Sequence, residues 1–148
     1  MKKAKLVIIC TQNSARSQMA EAFFKKYGDD MLEVYSAGFE PTEVNPYAVQ
    51  VMKEIGIDIS GQHSKGVREF LGKMSFGYVI AVCKKAEGKC PVIFPGARQL
   101  LSWPFDDPAA FEGTEEETRQ KFRQVRDEIE EKVKEWLQEY RGQQDHLK

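Results

Sequence analysis

The sequence predicts an α/β domain, a three-layer sandwich with a small parallel sheet of about four strands flanked by helices. Short apolar runs alternate with helix-period segments along most of the chain. The run Phe76 to Val82 is almost wholly apolar, as a strand covered on both faces is. Strands that alternate with helices join by right-handed βαβ crossovers into a parallel sheet.

Each element has a local cause. Ala4 to Ile9 is an aliphatic run and reads as a buried strand. Ser17 to Tyr27 reads as a helix, with Met19, Ala20, Phe23, Phe24 and Tyr27 recurring at three and four. A second strand, Leu32 to Ala37, closes at Gly38. Asn45 and Pro46 open the next helix as cap and first helical residue; Val49, Met52 and Ile55 are expected to face inward before Gly56 stops it. A weaker helix is expected between Ser64 and Lys73, then the strand Phe76 to Val82 and a short strand over Gln99 to Trp103. Thr114 and Glu117 form a capping box for the last helix. Its apolar stripe is Phe122, Val125, Ile129, Val133, Trp136 and Tyr140. One domain over 1–142 is expected, with a polar C-terminal tail over 143–148.

Composition narrows the class. Of 148 residues, 41% are hydrophobic and 30% charged, the balance of an ordinary soluble protein. The net charge is −1, with no basic stripe, so a general nucleic-acid binder is not expected. Leu6 to Ile9 is too short for a membrane span or signal-peptide core, which points to a cytoplasmic protein without membrane association. Three cysteines without an export signal argue against a structural disulfide framework. With only His63 and His146 available, chemistry should run on thiols, carboxylates and arginine.

In folds of this kind the site lies beyond the carboxyl ends of the strands. The first strand ends there in Cys10, Thr11, Gln12, Asn13, Ser14, Ala15, Arg16 and Ser17, and a helix follows at once. A strand-to-helix turn directs successive backbone N–H groups inward, making an anion nest at the positive end of a helix. Arg16 offers a planar fork for two oxygens. The same field favours a Cys10 thiolate. Ser17 is placed to donate to the sulfur and Asn13 to pin the loop. The bland alternative, a buried cysteine near a solvated arginine, does not account for their position at the first βα turn.

These residues, with Gln18, Met19, Ala20 and Glu21 after them, resemble the low-molecular-weight phosphotyrosine phosphatase superfamily and most of all its arsenate reductase branch. The resemblance runs nearly end to end, through Ser36-Ala37-Gly38, Asn45-Pro46, Gly56-Ile57-Asp58, Phe105 to Ala109 and Val125 to Ile129. It implies a phosphatase-like fold and loop, and a nucleophilic Cys10 that attacks arsenate, with phosphate or sulfate as competing oxyanions. It also makes Asp107, the residue before Pro108, the general acid. Read alone, Asp107-Pro108 is an ordinary surface turn, stiffened by proline; Asp106 has no assigned role.

Cys83 follows the most apolar strand, and Cys90 comes after six polar, lysine-rich residues. A strand parallel to the first should bring Cys83 to the same edge as Cys10, where disulfide exchange becomes possible. Structural thiols and a partial zinc site remain open readings, although zinc wants further Cys or His ligands. Arsenate reductases coupled to thioredoxin carry the same Cys83–Cys90 spacing followed by proline. The resemblance therefore implies a relay, Cys10–Cys83 and then Cys83–Cys90. Reduced thioredoxin is the implied electron donor, with no bound cofactor, no metal and a monomeric chain.

Related tyrosine phosphatases usually place aromatic residues after Asp-Pro, whereas Ala109 and Ala110 stand here, which favours arsenate. A phosphatase, or residual phosphatase activity, is the first alternative; a non-catalytic thiol sensor or oxyanion-binding module is the second. Two departures from the family pattern stand out. Gln12 replaces a usual glycine. Lys65 replaces an aspartate that, with residues matching Asn13, Glu21 and Ser36, binds potassium in some members.

Overall fold

The structure, a computed structural model, describes residues 3–70, 73–84 and 96–146. Four parallel strands form one sheet: β1 (Ala4–Cys10), β2 (Leu32–Gly38), β3 (Phe76–Ala81) and β4 (Ala97–Ser102). Their order is β2-β1-β3-β4. The sheet therefore grows from β1 in both directions, and the carboxyl end of β1 lies between those of β2 and β3. Register aligns Cys10 with Gly38, and Ile9 with Ala81.

Three helices, α1 (Arg16–Gly28), α2 (Pro46–Lys53) and α3 (Glu115–His146), pack on one face. The core there joins Leu6, Ile8 and Cys10 of β1 to Met19, Phe23 and Phe24 of α1, and to Phe122, Val125, Ile129, Val133 and Leu137 of α3. Trp103 stacks on Phe24 at 5.9 Å, and Trp136 meets the same ring edge-on at 5.8 Å, so both tryptophans are packing residues. The alternate β-strand residues, Val7, Ile9, Val79 and Ala81, form a second core with Val67 and Phe76. Period-2 alternation thus fills two faces from one strand, which is why β1 and β3 read as continuous apolar runs.

Several expected details shift. The weaker helix between Ser64 and Lys73 is a single 3-10 turn over Val67–Glu69 among the described residues. In α2 the fully buried residues are Ala48, Val51 and Met52, while Val49 and Ile55 only flank the core. Met52 is buried as expected, and Ala48 and Val51 join it where α2 packs against α3. The polar stretch after Gly142 continues α3 to His146 rather than leaving the helix. The caps are as read: Asn45 Oδ1 accepts from Tyr47 N at 2.8 Å, and Thr114 and Glu117 bond reciprocally at 3.0 and 3.1 Å. No helix among the described residues is long and apolar enough to cross a membrane.

Candidate active site

The turn from β1 into α1 is built by buried polar bonds. Asn13 is its hub and, among the described residues, the one non-glycine residue at positive φ, 52°. Asparagine tolerates that conformation because its short amide bonds locally. Asn13 Nδ2 donates to Ser17 Oγ at 2.8 Å and to Ser36 Oγ at 2.9 Å, and its Oδ1 accepts from Lys65 N at 2.9 Å. Gln18 Nε2 donates to Asn13 O at 3.0 Å and is itself bonded by Gln62. The strain therefore falls on Asn13 and not on Gln12, so the departure from glycine at Gln12 needs no unusual backbone. Gln12 offers its carbonyl to Ser64 Oγ at 2.8 Å.

Gly38 is the other half of this construction. A Cβ there would stand 2.7 Å from Asn13 N and 2.9 Å from Thr11 O, so the turn can approach β2 only over a glycine. Ser36, two residues earlier, donates a short hydrogen bond to the buried Glu21 carboxylate. Glu21 also meets Lys25 Nζ at 2.6 Å and Lys65 Nζ at 3.6 Å. The Lys65 ammonium, which donates to His63 O at 2.8 Å, thus lies beside the carboxylate that Ser36 also bonds, supplying positive charge from the chain itself. No group of three or more His, Cys, Asp or Glu positioned to hold a metal occurs among the described residues.

Above this bracing lies a cavity of about 270 Å³ lined by Cys10, Thr11, Gln12, Ser14, Ala15, Arg16, Asp107 and Ala109. Cys10 is a free thiol, 4% exposed. Ala15 occupies the N-cap of α1 and makes no side-chain cap bond, at the helix end that favours an anion. The Thr11 hydroxyl is buried without a hydrogen-bond partner among the described residues, a group that a bound oxygen would satisfy. Arg16 is 2% exposed, and its Nη1 donates to Phe105 O at 3.1 Å and Val82 O at 3.4 Å. Those carbonyls fix the guanidinium under the cavity and tie it to the ends of two further segments. Its Nη2 lies 3.7 Å from Asp107 Oδ2.

Asp107 precedes a 3-10 turn over Pro108–Ala110 and accepts from Ala109 N at 3.0 Å. Its backbone is extended, as a residue before proline prefers. Ala109, and not an aromatic ring, lines the cavity beside it. Ser17 is buried behind the loop, bonded to Asn13.

Cys83 lies just past β3. Val82 N donates to Ile9 O at 3.0 Å, which sets Cys83 one residue beyond the level of Cys10 at the same carboxyl edge. The two side chains nevertheless belong to opposite faces. Cys10 packs in the core beneath α1, whereas Cys83 packs with Val79 and Ala81 in the second core. Cys83 is disulfide-bonded. Cys90 lies outside the described residues, and so does the Cys83–Cys90 pairing. Gln18, Gly38 and Gln62 also support the loop, and no local sequence pattern marks them. Their partners lie 5 to 44 residues away, and no periodicity reports such contacts.

A thiol, an arginine and a carboxylic acid around an anion nest at a strand-to-helix turn define a phosphatase-type loop. The chain belongs to the low molecular weight phosphotyrosine protein phosphatase family, which residues 5–146 match. Its relatives include an arsenate reductase of Halalkalibacterium halodurans, 49% identical over 135 residues that cover 90% of this chain and 95% of that one. Among solved structures, an arsenate reductase in the phosphate binding state superposes with a TM-score of 0.75 at 33% identity, covering 92% of this chain and 98% of that one. A thioredoxin-dependent arsenate reductase of Corynebacterium glutamicum gives a TM-score of 0.65 at 26% identity, over 93% of this chain and 61% of that one.

Proposed function

We propose that this chain reduces arsenate to arsenite, with Cys10 as nucleophile and Cys83 and Cys90 as the source of electrons. The observation that carries the reading is the buried free Cys10 in one cavity with Arg16 and Asp107, next to a strand that delivers Cys83 to the same edge. Arsenate enters with its oxygens on the loop amides and Arg16, which stabilise charge as it develops. The Cys10 thiolate attacks arsenic, and Asp107 protonates the departing oxygen, which leaves as water. Cys83 then attacks the Cys10 sulfur. The sulfur–arsenic bond breaks, its electron pair goes to arsenic, arsenite leaves, and a Cys10–Cys83 disulfide remains. Cys90 attacks Cys83, which frees Cys10 and closes Cys83–Cys90. Reduced thioredoxin returns two electrons and two protons, so each turnover consumes one dithiol.

A disulfide at Cys83 beside a free Cys10 suits the end of that cycle. Opposite placement of the two side chains means that Cys83 must turn past the sheet edge to reach Cys10, a movement the reading requires. Alanine at 109 leaves the cavity without a ring on which an aryl substrate could stack. The similarity to arsenate reductases, one of them thioredoxin-dependent, supports the same reading. The domain is expected to act as a cytoplasmic monomer without a resident cofactor.

NADPH consumption against arsenate, with thioredoxin and its reductase supplied, tests the proposal. Wild type should turn over, and Cys10→Ser, Cys83→Ser and Cys90→Ser should each fail. Cys83→Ser should still hydrolyse an aryl phosphate slowly, since that chemistry needs Cys10 alone. Arsenite production by Cys83→Ser would refute the relay; aryl phosphate turnover without any arsenite from wild type would make the protein a phosphatase.

A further inference from the structure

Asp106 has no part in the chemistry just described, yet two distant lysines converge on it. Lys84, the residue after Cys83, donates a short hydrogen bond to its Oδ1, and Lys121 Nζ of α3 lies 2.8 Å from its Oδ2. We propose that Asp106 is a positioning residue of the relay: braced on α3 by Lys121, it holds Lys84, and with it the chain leaving Cys83, in the place it occupies while Cys83 is disulfide-bonded.

Cys83 points into the second core, and Cys10 into the first, so an attack on the Cys10 sulfur must rotate Cys83 past the end of β3. Lys84 is covalently next, so the rotation draws its backbone away from Asp106, and in the proposed clamp the contact is lost with it. The clamp is therefore made on one side of the exchange and released on the other. A contact present in only one of two states shifts the equilibrium between them toward that state. Here the favoured state is the Cys83 disulfide, over the reduced chain in which Cys83 is free to turn toward Cys10. Both Lys84 and Asp106 are half-exposed, but three charges act together, and networks are the case in which exposed ion pairs count. Ionisation does not limit the clamp, because the two lysines hold the Asp106 carboxyl down at about 2.

The experiment equilibrates the full chain, without arsenate, in mixtures of reduced and oxidised dithiothreitol, and reads Cys83 alkylation by mass spectrometry. In each reduction the dithiol passes two electrons and two protons to the Cys83 disulfide and closes to its own cyclic disulfide. Asp106→Asn and Lys121→Gln should each move the midpoint about two- to fivefold toward easier reduction at low salt. Asp106→Glu should recover most of the shift. The wild-type midpoint should move the same way as NaCl rises to about 1 M, where screening is short-ranged, while that of Asp106→Asn stays put. A wild-type midpoint indifferent to salt, or an Asp106→Asn midpoint equal to wild type, would overturn the clamp; the salt series needs no variant to fold. The inference rests on the relay proposed above, but the two fail separately. An unmoved midpoint counts against the clamp, and arsenite production by Cys83→Ser counts against the relay.

Discussion

The turn after β1 and the segment after β4 meet around one cavity, with the segment after β3 behind Arg16, and they are held by different forces. The first is a buried lattice: Asn13, Ser17, Gln18, Glu21 and Ser36 are all buried, and each is hydrogen-bonded. Such bonds are costly to leave unmade, so the loop has one low-energy arrangement. The second region is bound by partly exposed ion pairs, Lys84 and Lys121 on Asp106, and meets the buried Arg16 through Asp107. Exposed pairs are worth little singly and exchange easily with water. Holding an oxyanion needs the first kind of construction, because donors must already point where charge will develop. Passing electrons between sulfurs on opposite faces needs the second, because part of the chain must move.

Arg16 is where the two regions touch, and its substitution should have the largest effect. Arg16→Lys replaces a two-pronged donor by a point charge and gives up carbonyl contacts with Phe105 and Val82. Arsenate kcat/KM should fall about 10²–10³-fold, measured by the thioredoxin-coupled assay. Asp107→Asn should cost about 10²-fold in the step that expels oxygen, with oxyanion affinity little changed. Single-turnover kinetics with an aryl phosphate separate the two quantities.

Gly38→Ala strikes the buried lattice alone. A methyl group 2.7 Å from Asn13 N forces the turn away from β2 and should destabilise the fold by about 1–3 kcal/mol in urea denaturation, with weaker phosphate binding. The smallest effect is expected at the surface clamp. Lys121 first and Lys84 second hold the Asp106 carboxyl at about 2, below its usual 3.8. A depressed carboxyl contributes stability that is fully present above its unfolded value and is lost as pH falls through the folded one. The difference in Tm between wild type and Asp106→Asn should thus be flat above about pH 5 and vanish near pH 2. A difference that grew toward acid would assign the wrong sign to the clamp.

The same division explains what the sequence could tell. Cys10 and Arg16 were legible because strand, turn and helix are local, and their spacing carries the geometry; Ser17, read as a donor to the sulfur, instead accepts from Asn13 Nδ2. The capping box at Thr114 and the proline after Asp107 were legible for the same reason. Asp106 was not, because its partners lie 22 residues before and 15 after it, and nothing in the period of either segment marks the meeting. Gly38 was read as a strand end, whereas its requirement comes from the backbone of Asn13 crossing it. In α2 Met52 was read correctly, but Ala48 and Val51 complete the buried face in place of Val49, because the helix packs on α3. For Lys65 the residue type was visible, but its 3.6 Å approach to Glu21 joins positions far apart in the chain.

Peptide mapping of Cys90→Ser after one exposure to arsenate tests the central claim most directly. With the resolving thiol gone, the relay should stop halfway: Cys10 and Cys83 should appear as one disulfide-linked peptide pair, with one arsenite released per chain. Arsenite released while those two sulfurs remain separate thiols would contradict the account.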